Sequence, residues 1–519
     1  MKKEKIKTQV DSSQKIPFTE MLAYGSAEIY GGGSATLISL VLLFYLNIIL
    51  GISAAWAGAI ILVSKAWDAI SDPLMGVISD NTRSKWGRRK PYMVAGGIMT
   101  FFSMLFLFAP IQDLPEGWKV AIAMIAYIFF CTSNTVSQVP FCSLAADISE
   151  SHSERNKANT VKLGFSMIGA AVCFLVPSML MDKIIAPKGV VSDGAAIKTF
   201  LYIGVIFAFV FAIPLIISGL FTKERAHYNK EIKAKFSFKS YLEPFKVKSY
   251  RWHLVMYICA FLCMDLISAL VFYYVAIIAS QAPPVTLFGK ETTIGSSMIV
   301  APMMIMAALF IPLVLVIAKK KSKQFAFRLG LPLYILGGVM LALYQTNWSP
   351  WLIPVFSIIM GIGIAGAQSM PWMIFPDTVD AAALKLKTKP TGTFSGLMTF
   401  SRKLTQAISI FLVGVIFEAI GIYKGADGKI SIKHGEKILS GAEEIAARAQ
   451  ATKAIRILII VVVGILISTA FIASIMYKLD TKKLDRIKYF LDKQNEDPTD
   501  SNLTEEEKKE KEFFIKKYS

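Results

Sequence analysis

Charge and metal-binding residues are scarce in this 519-residue sequence: 18% is charged, and it holds four histidines and five cysteines. His152, His227, His253 and His434 fall in loops or at the ends of apolar runs, and none pairs at the spacing a zinc site needs. Cys131, Cys142, Cys173, Cys259 and Cys263 all sit inside apolar runs, where cysteine behaves as a small hydrophobe and not as a disulfide or metal framework. No glycine-rich loop ends in Lys-Ser/Thr and no nucleophile elbow occurs, which argues against an ATP-driven pump and a hydrolase. The lysine-rich start, Met1–Pro17, is not followed by a short apolar stretch with a cleavage site. No signal peptide is expected, and the first long apolar run should stay in place.

What is abundant is apolar surface. Hydrophobic residues make up 54% of the chain and the mean hydropathy is +0.52. A soluble protein of this length has no core large enough for that, and the residues cluster in runs long enough to cross a hydrocarbon layer of about 30 Å at about 1.5 Å per residue. Twelve helical spans are predicted. They are Glu28–Leu50, Ala55–Ser79, Met93–Pro110, Val120–Leu144, Leu163–Met181 and Phe200–Phe221, then Leu254–Ala279, Ile294–Ala318, Leu329–Tyr344, Leu352–Phe375, Phe394–Ile422 and Ile455–Met476.

The net charge of +19 lies mainly between these runs. Arg83, Lys85, Arg88, Arg89 and Lys90 share one loop, Lys319, Lys320, Lys321, Lys323 and Arg328 another, and Thr222–Trp252 carries nine basic residues. If the spans alternate, all three fall on one side, and basic loops mark the cytoplasmic face. Both termini are then cytoplasmic. Lys424–Lys453 is the exception, basic yet on the other side, with a short surface helix expected at Ser440–Gln450. Nucleic-acid binding is not expected, since no basic–aromatic reader motif is visible. The polar tail after Tyr477, with mixed charge at Glu505–Lys511, reads as a solvated or interfacial helix.

The long link divides the spans six and six. That predicts an all-α polytopic membrane protein of major facilitator architecture, two six-helix bundles around a substrate cavity. The expected division is an N-terminal segment 1–23, a first bundle 24–221, a cytoplasmic loop 222–252, a second bundle 253–478 and a tail 479–519.

Charges inside spans carry the functional information, because each costs about 2.5–3.5 kcal/mol at a helix centre on insertion scales. Asp68 and Asp72 lie four residues apart in span two and so share a helix face. Two stacked carboxylates near mid-membrane repel unless a cation or proton sits between them. Hard oxygen ligands that fill and empty are what a Na+ or H+ site requires. The structural alternative is a permanent ion pair with Lys65 or Lys403.

The stretch Trp67-Asp68-Ala69-Ile70-Ser71-Asp72-Pro73-Leu74-Met75-Gly76, with Asp80 and Thr82-Arg83-Ser84-Lys85-Trp86-Gly87-Arg88-Arg89-Lys90-Pro91 after it, resembles the glycoside–pentoside–hexuronide:cation symporter family. Tyr24-Gly25, Pro140-Phe141, Ser143-Leu144, Glu154-Arg155, Asp377, Asp380 and Lys403 extend the resemblance over nearly the whole chain. It implies that Asp68 and Asp72, with a hydroxyl from Thr135, bind the coupling ion. Lys403 would link the ion and substrate sites, and Lys65 matches a basic residue ahead of the motif. Asp80, Arg83, Arg88, Arg89, Arg155, Asp377 and Asp380 would form the gating charge network. Against this, an ordinary backbone-bonded threonine would explain Thr135, and positive-inside anchoring would explain the arginines.

The departures concern the solute. Where sugar-binding members have aspartates in spans one and four, this chain has Gly32 and Gln138; where a tryptophan lines span ten, it has Gln368. Lys162 matches a basic residue early in span five. Loss of two acids suggests a different solute or pose, and an anionic solute would suit a pocket stripped of negative charge. Asp265, inside span seven, should face the cavity or a basic partner. Glu28, near the inner end of span one, is expected to reach water by itself.

The resemblance thus implies symport of a sugar, glycoside, uronate or related solute, driven by Na+ or H+, with no cofactor, no enzymatic chemistry and no metal beyond Na+ at Asp68/Asp72. The expected partners are a small-molecule solute, that cation and the lipid bilayer of the cell membrane. No obligate protein partner is indicated. A symporter of a non-sugar, anionic or amphipathic solute on the same fold is the alternative, and a non-transporting membrane sensor or enzyme is the alternative from another class.

Overall fold

The computed structural model describes residues 15–149, 151–184, 193–225, 243–287, 290–386, 391–424, 430–434, 437–438, 442–479, 481–496 and 503–518. The first helix begins earlier than its apolar run suggests. Helix α1 (Phe18–Ser26) leads at Ala27 into α2 (Glu28–Phe44), and a π-helical turn, Tyr45–Ile49, finishes the span. There follow α3 (Ala54–Asn81), α4 (Lys90–Leu107), α5 (Glu116–Asp147), α6 (His152–Met181) and α7 (Asp193–Phe221). The second half holds α8 (Lys248–Ile277), α9 (Ser297–Lys320), α10 (Lys323–Leu343), α11 (Leu352–Leu386), α12 (Thr391–Ile420) and α13 (Ala442–Met476). Two polar helices close the chain, α14 (Thr481–Glu496) and α15 (Glu505–Tyr518).

Among the described residues, eleven helices are long and apolar enough to cross a membrane. The remaining expected span is α3, an unbroken helix whose Lys65, Asp68 and Asp72 keep its hydropathy below that set. The chain is an all-α polytopic membrane protein.

Three segments differ from the sequence expectation. Ser440–Gln450 is not a separate surface helix: from Ala442 it is continuous with the last span in α13. Before it, Ile422–Lys424, Ile430–His434 and Lys437–Ile438 pair as short antiparallel strands. Val285–Leu287 and Lys290–Thr292 form a small hairpin after α8. These β-branched runs flank the apolar helices, where water can satisfy strand edges that lipid could not.

The chain divides into two compact units, Met1–Pro177 with Asp193–Phe236, and Ser178–Ser192 with Ser237–Ser519. In the first, α4 packs on α5 and α7, and α3 packs on α5. Small residues permit this: a Cβ on Gly96 would lie 2.7 Å from the Ser137 Cβ, and one on Gly169 would lie 2.5 Å from the Ile29 carbonyl oxygen. Buried Tyr24, Tyr30, Tyr127, Phe130 and Phe211 fill the space between helices. In the second unit, α11 packs on α9 and α10, and α13 on α8 and α10. Gly337 and Gly363 bring α10 and α11 into backbone contact. Helix α8 is buried along most of its length. That is why it shows no amphipathic stripe, since a helix apolar all round is one surrounded by neighbours.

Candidate functional site

Ser53 caps the start of α3, accepting from the Trp56 amide at 3.4 Å. From there the helix presents Trp67, Ser71 and Asp72 to α5, which answers with Thr132 and Thr135, three residues apart and so on one face. The Thr135 hydroxyl donates to Asp72 Oδ1 at 2.7 Å and lies 3.1 Å from the Ser71 hydroxyl. The Trp67 indole N–H donates to Thr132 Oγ1 at 2.9 Å. One turn up, Asp68 is buried and accepts from Lys65 Nζ at 3.2 Å; that ammonium also lies 5.7 Å from the Tyr127 ring centre. The structure therefore gathers Asp72 and Thr135 in one hydrogen-bonded cluster, with the Asp68–Lys65 pair one turn away on α3. Ser71 and Trp67 join it, and their signal in the sequence was their spacing of one and five residues from Asp72. The donor set is carboxylate and hydroxyl oxygen, the chemistry of a hard monovalent cation or a proton. Among the described residues no group of three or more His, Cys, Asp or Glu is arranged to hold a metal ion.

A second polar cluster lies in the same unit. Glu28 does not reach water alone. Its carboxylate is 3.4 Å from Lys162 Nζ, both side chains are largely covered, and the ammonium sits 4.6 Å from the Phe141 ring centre. Gln138 belongs here, because a Cβ built on Gly31 would lie 2.9 Å from both the Gln138 and the Glu28 side-chain oxygens. Glu28 stands one helical turn before Gly32, so this cluster holds a carboxylate of its own. Gly32 itself admits α6: a Cβ there would lie 2.4 Å from Ser166 Oγ and 2.6 Å from the Ser166 carbonyl oxygen.

In the second unit Asp265 is buried and meets Arg402, whose Nη2 lies 3.3 Å from both carboxylate oxygens. Arg402 is the partner that charge within the span left unnamed beside its neighbour Lys403, which is half-buried on α12. Gln368 is half-buried on α11. One turn on, exposed Trp372 stands edge-on to Tyr257 at 5.4 Å, so α11 carries an aromatic ring a turn away from where the family places it.

The charged loop is tightly organised. Arg88 grips Asp147 through Nε at 3.1 Å and Nη2 at 2.8 Å. Buried Arg89 bonds Asp80, the Ser79 hydroxyl at 2.7 Å and Asp147 at 3.3 Å. Exposed Arg83 donates to the carbonyls of Asp80 and Thr82. Glu224 accepts the backbone amides of Arg88, Arg89 and Lys90 at 2.9, 2.9 and 3.2 Å. A carboxylate at the N-terminus of α4 satisfies donors the helix leaves open. Arg225 next to it holds Glu20 through two 2.7 Å bonds. That partner keeps the guanidinium charged more firmly than usual. Arg155, in the first unit, is half-buried. In the second unit Asp377 accepts from Lys323 at 2.6 Å and Asp380 is half-buried.

Residues 23–481 match the family described as MFS/sugar transport protein. The chain belongs to that family, the glycoside–pentoside–hexuronide:cation type of the major facilitator superfamily. An uncharacterized symporter of Synechocystis is 25% identical over 80% of this chain and 88% of its own length. The isoprimeverose transporter of Lactiplantibacillus pentosus is 24% identical over 78% and 81%. A glucuronide carrier protein homolog of Escherichia coli is 21% identical over 76% and 82%. The fold is similar to that of a bacterial Spinster homologue, with a TM-score of 0.59 at 14% identity over 90% of this chain and 98% of that one. It is also similar to a POT family transporter, at 0.56 and 14% over 89% and 98%. The protein is a multi-pass transporter of the cell membrane, of symporter type, and not an enzyme.

Proposed function

We propose that the protein carries a sugar, glycoside, uronate or related small solute by alternating access, coupled to Na+ or H+ at Asp68 and Asp72. The observation that carries this reading is the Thr135 hydroxyl on Asp72 at 2.7 Å, beside the buried Asp68 one turn away. Oxygen donors from α3 and α5 meet there, and such a set supports a site where a positive charge comes and goes. Lys65 on Asp68 supports an exchange mechanism, in which the ammonium balances the carboxylate when the ion has left. Gln138 and Lys162, with Glu28, supply polar groups for solute hydroxyls in the first unit. Asp265, Gln368 and Lys403 are the candidates in the second, and Gly32 sets how closely α2 approaches α6. Asp80, Arg83, Arg88, Arg89, Arg155, Asp377 and Asp380 form the gating network, rearranged as bundles 24–221 and 253–478 exchange access.

The solute class is supported by the family and by relatives named for isoprimeverose and glucuronide. By linkage, solute and ion raise each other's affinity by one common factor. The test is solute-dependent Na+ or H+ movement in proteoliposomes. Asp72→Asn, inserted at normal levels, is expected to abolish gradient-driven accumulation; accumulation at the wild-type level rejects the coupling role.

A further inference from the structure

Asp265 lies roughly 26 Å along α8 and Arg402 roughly 16 Å along α12 at the helical rise, both well inside their spans. Their geometry is unlike a closed structural pair. A guanidinium has five N–H donors and meets a carboxylate best through two nitrogens at about 2.7–2.9 Å. Here one nitrogen, Nη2, straddles both Asp265 oxygens at 3.3 Å. The Nε of Arg402 is buried and has no hydrogen-bond partner among the described residues. The Phe261 ring, 4.7 Å from the guanidinium carbon, fixes the plane of the fork without using any donor. The Arg402 side chain is 24% exposed against 6% for Asp265. A guanidinium at this depth is costly against lipid, so its exposed part is the side from which a polar solute would reach it.

We propose that Arg402 recognises a negatively charged solute, a sugar bearing a carboxylate, whose oxygens take donors of the fork that Asp265 leaves open. Asp265 holds the guanidinium in plane and balances its charge when the solute is absent. The neutral pair then becomes a triad of Asp265, Arg402 and the solute carboxylate, whose extra negative charge enters with the solute. The inference rests on the sugar-symport reading for the rest of the solute, and on Arg402 alone for its charge.

The test compares methyl β-D-glucuronide with methyl β-D-glucoside, which differ at the acid group, in cation-dependent uptake and binding by the full-length protein in proteoliposomes. The wild type is expected to prefer the glucuronide by roughly tenfold or more, the range of a charge-assisted hydrogen bond. Arg402→Gln is expected to bring the ratio to about one, and Arg402→Lys, which keeps the charge and loses the fork, to leave an intermediate ratio. Asp265→Asn, which releases the guanidinium, is expected to strengthen glucuronide binding. Equal or reversed preference in the wild type, or an unchanged ratio in Arg402→Gln, overturns the proposal. Should that variant fail to insert, weaker or unchanged glucuronide binding by Asp265→Asn overturns it instead. Cation-dependent uptake of both probes without preference defeats this inference alone, whereas uptake of neither defeats the sugar reading with it.

Discussion

The Thr135 hydroxyl donates to the Asp72 carboxylate across the α3–α5 interface at 2.7 Å. A hydrogen bond to a charged group contributes about 1.5–3 kcal/mol. If Thr135 also supplies an oxygen to the coupling ion, its loss acts on ion affinity more than on folding. Thr135→Val is expected to raise the cation concentration for half-maximal uptake by roughly tenfold or more, while Thr135→Ser stays near wild type. Titrating solute uptake with Na+, and separately with pH, reads both variants. A valine variant as responsive as the parent removes Thr135 from the ion site.

Gly32 and Gly164 make a matched pair for separating packing from recognition. A Cβ on Gly32 would meet Ser166 at 2.4 Å, whereas one on Gly164 has nothing within 4 Å. Overpacking of a tight helix crossing costs about 1–3 kcal/mol. Alanine in place of an unhindered helical glycine favours the helix by about 1 kcal/mol. Gly32→Ala should therefore lower the thermal midpoint of the detergent-solubilised protein, and Gly164→Ala should not. A Gly32→Ala protein that melts like the parent shows that α2 and α6 have slack at this crossing.

Much of this was legible before any coordinates. Span positions follow from apolar runs, because a lipid-facing helix needs an unbroken apolar stretch. The shared helix face of Asp68 and Asp72 follows from four-residue spacing. What the chain order concealed was contact between distant positions. Glu28 meets Lys162 across 134 residues, and Arg402 meets Asp265 across 137. Periodicity within one helix says nothing of which face a neighbour supplies. Contacts around Gly32 and Gln368 are concealed for a related reason. Glu28 and Trp372 stand one turn away, on the same helix faces, so a long side chain can cover much the same space from four residues off. The strands Ile422–Lys424, Ile430–His434 and Lys437–Ile438 were not expected because tertiary setting outweighs local propensity in short segments.

Glu224 offers a test of the loop that carries the arginines. Its carboxylate takes three successive backbone amides at the start of α4. Gly87, at φ +110°, leaves room for it, since a Cβ there would lie 2.5 Å from a carboxylate oxygen. Glu224→Ala removes the cap and is expected to cost about 1–2 kcal/mol, with faster hydrogen exchange at Arg88, Arg89 and Lys90. Gly87→Ala should act on the same amides from the other side. If either variant leaves exchange at those three residues unchanged, the loop is held by Arg88 and Arg89 on Asp147 alone.

The attachment of the segment before α1 should depend on acid in a defined direction. Glu154 accepts from Lys157 Nζ at 2.7 Å and from the Ile16 amide at 3.0 Å. These two bonds, the lysine's first, hold its carboxyl below the usual glutamate value of 4.5. A carboxylate whose native pKa is depressed contributes fully above its unfolded value, and that contribution fades as pH falls through the native one. Protection of the Ile16 amide is therefore expected to persist from neutral pH down past the ordinary glutamate range and to fail only below it. Glu154→Ala should lose that protection at every pH. Amide exchange at Ile16, followed with pH in both proteins, decides the matter: loss of protection in the parent already at the ordinary glutamate value would mean that the carboxylate is not held by these two donors in solution.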